Sequence, residues 1–159
     1  MYKIALNPFN WIKLCMDIIF CTRVRISGSS MEPSMFEGDL FLATKSRHRM
    51  NQLKQDDIIF FHHPDTNLDY VKRIVGIPKD VVKFSANNLL INNLEYTKRV
   101  PYSKSKSLTP REWLIKEKEV FVLGDNYNNS TDSRVFGPIK NEWIMGVIWH
   151  KYYSGKIDD

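Results

Sequence analysis

The sequence predicts a mainly β domain, a sandwich or distorted barrel, preceded by one amino-terminal apolar helix. Three observations carry this. Short runs rich in β-branched and aromatic residues recur through the chain after Arg25. Polar, glycine or proline breaks bound most of them. The most apolar stretch stands apart from them at residues 9–22, FNWIKLCMDIIFCT.

The β runs are DLFLA (39–43), DIIFF (57–61), DYVKRIVG (69–76), VVKF (81–84), LLIN (89–92), VFVLG (120–124) and MGVIWHKYY (145–153). One further piece, TPREWLIKE (109–117), reads as a helix with Thr109 as N-cap and Pro110 in its first turn. The basic stretch 98–108, with Lys98, Arg99, Lys104 and Lys106 among serines and a proline, reads as a loop. No domain boundary is expected after residue 26, so the chain divides into an amino-terminal anchor, 1–25, and a β domain, 26–159.

The apolar segment has internal order. From Ile4 to Thr22 it is long enough for a helix of about 28 Å, near the thickness of a bilayer's hydrocarbon core. Asn7, Pro8, Asn10, Lys13 and Asp17 interrupt it. Asn10, Lys13 and Asp17 share one helical stripe, and Lys13 and Asp17 can pair at i, i+4. Trp11, Leu14, Cys15, Ile18 and Ile19 cover the other side. Three readings fit: an interfacial helix, a spanning helix whose stripe meets a partner, or a helix packed on the domain. Arg23 and Arg25 follow where a cleavable secretory peptide would carry small residues.

With 159 residues, 43% hydrophobic and 13% aromatic, the chain can bury a core, which excludes a disordered segment. The net charge of +5 suits an anionic partner, nucleic acid or an anionic lipid surface. Cys15 and Cys21 fit neither a metal nor a redox spacing, and no disulfide framework exists.

Three segments carry candidate chemistry. In ISGSSMEPSM (26–35), a glycine-containing turn with serines lets backbone N–H groups converge near a hydroxyl. In DYVKRIVGIPKD (69–80), strand alternation puts Tyr70, Lys72 and Ile74 on one face and Val71, Arg73 and Val75 on the other. Of the two cations only Lys72 can act as a base, because arginine keeps its proton. The third, LGDNYNNSTDSRVFGPI (123–139), is dense in Asp, Asn, Ser and Arg. Set against these, none of His48, His62, His63 and His150 lies in a motif with a serine, which disfavours a Ser-His-Asp triad. His62-His63 before Pro64 reads as a strand end or turn rather than a metal pair.

Together the three segments resemble the boxes of the type I signal peptidases, Ser/Lys-dyad serine proteases of bacteria and of the inner mitochondrial membrane. The serine box is matched by Ser30-Met31-x-Pro33 with Gly38-Asp39 beyond it, and the lysine box by residues 70–78. The Gly-Asp-Asn box is matched by Gly124-Asp125-Asn126, Asn129-Ser130 and Asp132-Ser133-Arg134. Gly28 stands where many members carry a serine, Lys79 where glycine is usual and Tyr127 where arginine is common.

The resemblance implies a signal-peptidase-like antiparallel β-sandwich or distorted barrel. It implies Ser30 as nucleophile and Lys72 as general base, with Ser130 hydrogen-bonded to Lys72. Asp125, Asp132 and Arg134 would form a supporting salt-bridge network. The Ser30 N–H would donate to the oxyanion. Ile26, Met31, Met35, Tyr70 and Val71 would line a pocket for small side chains. The expected activity is removal of signal peptides from exported preproteins after small-x-small sites, at a membrane, with the β domain on the extracytoplasmic side. No metal, cofactor or nucleic acid is expected. Self-cleaving repressors share the dyad but carry an upstream DNA-binding domain or cleavable arm. A specialised maturation peptidase with few clients would also fit the short chain. A catalytically silent partner subunit is the competing class outside enzymes.

Overall fold

The computed structural model describes residues 12, 15, 17–85, 88–96 and 111–154. The basic stretch 98–108 and residues 9–11, 13, 14 and 16 of segment 9–22 lie outside them. Among the described residues the strands form two antiparallel sheets. The larger has the order β1 (Cys21–Arg25), β2 (Leu40–Thr44), β11 (Ile144–Tyr153), β3 (Ile58–His63), β4 (Leu68–Gly76), β9 (Glu119–Leu123), β10 (Ile139–Lys140). The smaller has the order β7 (Leu94–Glu95), β6 (Asn88–Ile91), β5 (Val81–Ser85), β8 (Arg111–Leu114). Two one-turn helices, α1 (Arg47–Met50) and α2 (Ser133–Phe136), lie between strands. All seven apolar runs are strands, shifted by a residue or two at their ends.

The apolar patterns explain how the sheets pack. The VFVL run of β9 lacks polar alternation, as expected of a strand covered on both faces. Val120 and Val122 pack with Ile59, Phe61, Ile74, Ile139 and Val147. Phe121 and Leu123 face the smaller sheet, among Val75, Val82, Phe84 and Ile115. β3 divides similarly: Ile59 and Phe61 face the first cluster, while Ile58 and Phe60 pack on a third built from Val24, Ile26, Met31, Met35, Phe41 and Ala43. The larger sheet thus has core on both faces.

Two expectations are corrected. Residues 111–114 form strand β8 rather than part of a helix over 109–117. Trp113 pairs with Val82 across β5 and packs on Phe84 and Phe121, and Ile115 is buried beyond it. Period-two burial against an open sheet edge outweighs the local capping signal. The expected helix 9–22 is also too long at its carboxyl end. Residues 17–19 are helical, but Cys21 and Thr22 already pair with Thr44 and Ala43 of β2. Asp17, from the expected polar stripe, is buried against α1: it accepts from Ser46 Oγ at 2.5 Å and Arg49 Nε at 3.3 Å, and lies 3.4 Å from His48 Nε2.

At Gly76 the two sheets approach closely. A Cβ there would meet Val82 Cγ2 at 2.6 Å and Phe121 Cβ at 3.2 Å. Gly76→Ala is expected to destabilise the domain by about 1–3 kcal/mol. The check is a lower urea midpoint with an unchanged m-value.

Candidate active site

The serine turn follows β1 directly. Gly28 has φ +80°, a backbone that side chains other than glycine adopt only with strain. The chain then returns so that Gly38 N–H donates to Ile26 O and Ile26 N–H to Asp39 O. This closes a loop around Met31 and Met35, both buried in the core under β1. The apolar staple holds Ser30 at the loop's surface.

Lys72 comes from the middle of β4, where alternation aims it at that loop. Its Nζ lies 2.6 Å from Ser30 Oγ. The side chain is 3% exposed. Burial lowers its pKa from the ordinary lysine value to about 8, against the opposing pull of Asp132 and Asp125; Arg134 lowers it further. The Tyr70 ring stands 5.6 Å from the ammonium. A cation this poorly solvated lies within reach of losing its proton near neutrality.

The third segment braces both partners. Asn126 N–H donates to Ser30 O at 3.0 Å, and its Nδ2 to Ser29 O at 3.1 Å. Asn129 Nδ2 donates to Ser29 Oγ at 2.6 Å. Gly124 is required by crowding: an added Cβ would collide with Ser130 Oγ and come within 2.5 Å of Ser30 O. Asp132 receives Gly124 N–H at 3.0 Å, caps α2 through Arg134 N–H and takes two bonds from the Arg134 guanidinium at 2.8 Å each. That guanidinium also stacks 4.0 Å over Tyr127.

Sequence reasoning missed Arg73. Its guanidinium forms a bidentate pair with buried Asp125 at 2.8 and 2.6 Å and donates to Asp56 O at 2.9 Å. Burial opposes the Arg73 charge, but the hydrogen bonds and charge of Asp125 more than offset this and push its pKa above the ordinary arginine value. The acidic pair of the third segment therefore serves two arginines, Arg73 of β4 and Arg134 of α2, rather than Arg134 alone. The signal was present in the adjacent Lys72 and Arg73, which alternation sends to opposite faces. Asn126 and Asn129 stood in the matched Gly-Asp-Asn box without an assigned role, and Ser29 carried no comparable signal. Ser130 does not make the bond to Lys72 that the resemblance implies. Its Oγ is buried beside Gly124 and finds no hydrogen-bond partner among the described residues.

In front of the pair lies a groove of about 830 Å³. Residues 23–31 form one wall and residues 69–72 the other, with Asn128, Asn129, Ser130 and Thr131 at one end. Ile26, Met31, Tyr70 and Val71 line it; Met35 packs behind them in the same apolar cluster. β1 ends the sheet and pairs only with β2, while β4 pairs with β9 only from Arg73 onward. Among the described residues both walls therefore present unpaired strand edges, the kind of edge to which an extended chain can add.

Comparison with known proteins gives a consistent family. Residues 4–153 match the family described as signal peptidase, peptidase S26. A signal peptidase I V of Bacillus subtilis is 31% identical over 137 residues, covering 78% of this chain and 81% of its own. A signal peptidase I of Bacillus caldolyticus is 32% identical, with 82% and 79% covered. A crystal structure of a signal peptidase I from Enterococcus faecalis aligns with TM-score 0.52 and 28% identity, over 60% of this chain and 96% of that one.

The Arg73–Asp125 pair is inaccessible to solvent, with side-chain exposures of 4% and 0%. Arg73→Ala, which leaves Asp125 charged and buried, is expected to cost about 3–5 kcal/mol in stability. Chemical denaturation checks this, and a loss below about 1 kcal/mol contradicts it.

Proposed function

Because the chain belongs to the signal peptidase family, peptidase S26, we propose that it is a signal peptidase I whose nucleophile is Ser30 and whose general base is Lys72. The single observation that carries the assignment of residues is the 2.6 Å contact between Ser30 Oγ and an almost fully buried lysine.

Hydrolysis follows from that contact. The substrate enters as a strand between the edges of β1 and β4, with a small side chain before the scissile bond seated among Ile26, Met31, Tyr70 and Val71. Neutral Lys72 takes the Ser30 proton as Oγ attacks the carbonyl carbon. The oxyanion accepts from the Ser30 N–H. Collapse breaks the C–N bond, and the Lys72 ammonium returns its proton to the leaving amine. A water then gives a proton to Lys72 and attacks the ester; Ser30 Oγ leaves and recovers that proton. Asp125 and Asp132 act at one remove, by fixing Arg73, Arg134 and the 124–134 segment against the Ser30 loop. The unpartnered Ser130 hydroxyl, next to this segment, supports a role in orienting the Lys72 ammonium once substrate reshapes the site.

Three substitutions test the assignment. Ser30→Ala and Lys72→Ala are each expected to abolish cleavage of an Ala-x-Ala peptide. Lys72→Arg is expected not to restore it, since guanidinium stays charged. Activity retained by Ser30→Ala rules the nucleophile out. The pH profile supplies a separate check. With the base near 8, kcat/KM should rise about tenfold per unit below that pH and level off above it. Asp132→Asn removes a carboxylate that favours the ammonium, so the rising limb should move to lower pH.

We also assign the enzyme to a membrane surface, acting on preproteins presented there, with its β domain on the extracytoplasmic side. Among the described residues no helix is long and apolar enough to cross a membrane. Support comes from the inverted exposure of the amino-terminal segment. Asp17 is buried on the domain, while Ile12, Ile18, Ile19 and Phe20 are 48–69% exposed. Burial of such side chains in lipid contributes about 25 cal/mol per Å². Ile18→Ser with Ile19→Ser in the full chain should weaken sedimentation with phospholipid vesicles while sparing short-peptide cleavage. Unchanged sedimentation removes this face as the anchor.

A further inference from the structure

We infer that Arg23 and Arg25 read the charge of the substrate at the outward-facing positions before the cleavage site, selecting acidic side chains there and disfavouring basic ones; this rests on the Ser30/Lys72 assignment and on the strand-like seating of substrate. β1 alternates cleanly. Val24 is buried and Ile26 after it is buried, while Arg23 and Arg25 are turned to the opposite face. Both arginines nevertheless line the groove, because β1 is its wall. Among the described residues neither guanidinium has an ion pair or a side-chain hydrogen bond.

A peptide strand laid along the free edge of β1 must share its pleat. Laterally neighbouring residues of paired strands point to the same face. The small residues of a small-x-small site face inward, on the side of Val24 and Ile26. The intervening residue x and the residue two positions before it therefore fall on the arginine face. Ser30 lies beyond the carboxyl end of β1, so positions farther from the scissile bond lie farther back along the strand. Arg25 then stands beside x, and Arg23 beside the outward residue two positions before x. The opposite wall does not cancel this field. Its one carboxylate, Asp69, is bonded to His62 Nδ1 at 2.8 Å and shares the β4 face of Val71, which packs on the same core as Val24. Opposite charges on neighbouring strands attract, and like charges repel.

The test is internal competition in one tube, which makes the result independent of the active fraction of each enzyme. Full-length protein in neutral detergent cleaves a mixture of otherwise identical peptides carrying Ala-Glu-Ala, Ala-Gln-Ala or Ala-Lys-Ala before the cleavage point. A second set varies the residue two positions before x. The wild type should favour Glu over Gln about 3- to 5-fold and Glu over Lys by about tenfold, with both ratios shrinking as salt rises. Arg25→Gln should level the first set and Arg23→Gln the second, and Arg25→Glu should invert the first in favour of Lys. Equal ratios in wild type and all three variants overturn the proposal. Unchanged ratios together with lost binding to anionic vesicles overturn it in favour of a lipid contact. If the Gln peptide is cleaved as well by Ser30→Ala as by wild type, it is the dyad assignment that fails, a result distinct from either.

Discussion

Two adjacent cations on one buried strand impose the constraint on which this molecule is built. Lys72 and Arg73 sit in the middle of β4, each nearly closed off from water. A buried cation either finds a carboxylate or loses its proton. The pleat separates the two outcomes. Arg73, which cannot deprotonate, points to Asp125 and is neutralised by a bidentate pair. Lys72 points the other way, toward a hydroxyl rather than a carboxylate, and its affinity for protons falls. One desolvated strand thus yields a structural clamp on one face and a chemical group on the other.

The clamp explains why the 124–134 segment matters to a serine so far from it in the chain. Asp125, fixed by Arg73, is followed by Asn126, whose backbone and side chain both hold the Ser29–Ser30 carbonyls. Asp132 closes the other end of the segment by capping α2 and receiving Gly124 N–H. Between these anchors the absence of a Gly124 side chain lets the Ser30 carbonyl and Ser130 pack against the turn. Charge pairing, capping and close packing all converge on the placement of one hydroxyl.

Much of this was legible in the sequence because it is written in short-range patterns. The apolar runs located the strands, and alternation along 69–76 sent Lys72 and Arg73 to opposite faces. What escaped is what depends on distant pairing. Residues 109–117 carry a good local start for a helix, but the open edge beside Val82 and the space over Phe121 are invisible from position 113. The partner of Asp125 could not be chosen between Arg73 and Arg134 without knowing which strands touch. The stripe of Asn10, Lys13 and Asp17 announced an asymmetric helix, yet only contact with Ser46, His48 and Arg49 tells where Asp17 points.

The strand order carries a temporal consequence. β11, residues 144–153, lies between β2 and β3. The hairpin that delivers the serine loop and the hairpin that delivers the lysine therefore join one sheet only through a strand that is synthesised after every other strand described. Until residues 144–153 are made and inserted, the proposed nucleophile and its base sit on two hairpins held by apolar packing and the Asn126 bonds, with no strand pairing between them. In a nascent chain still lacking β11 those two hairpins share no hydrogen-bonded ladder, so the register between the serine loop and the lysine strand is the last part of the sheet to be set.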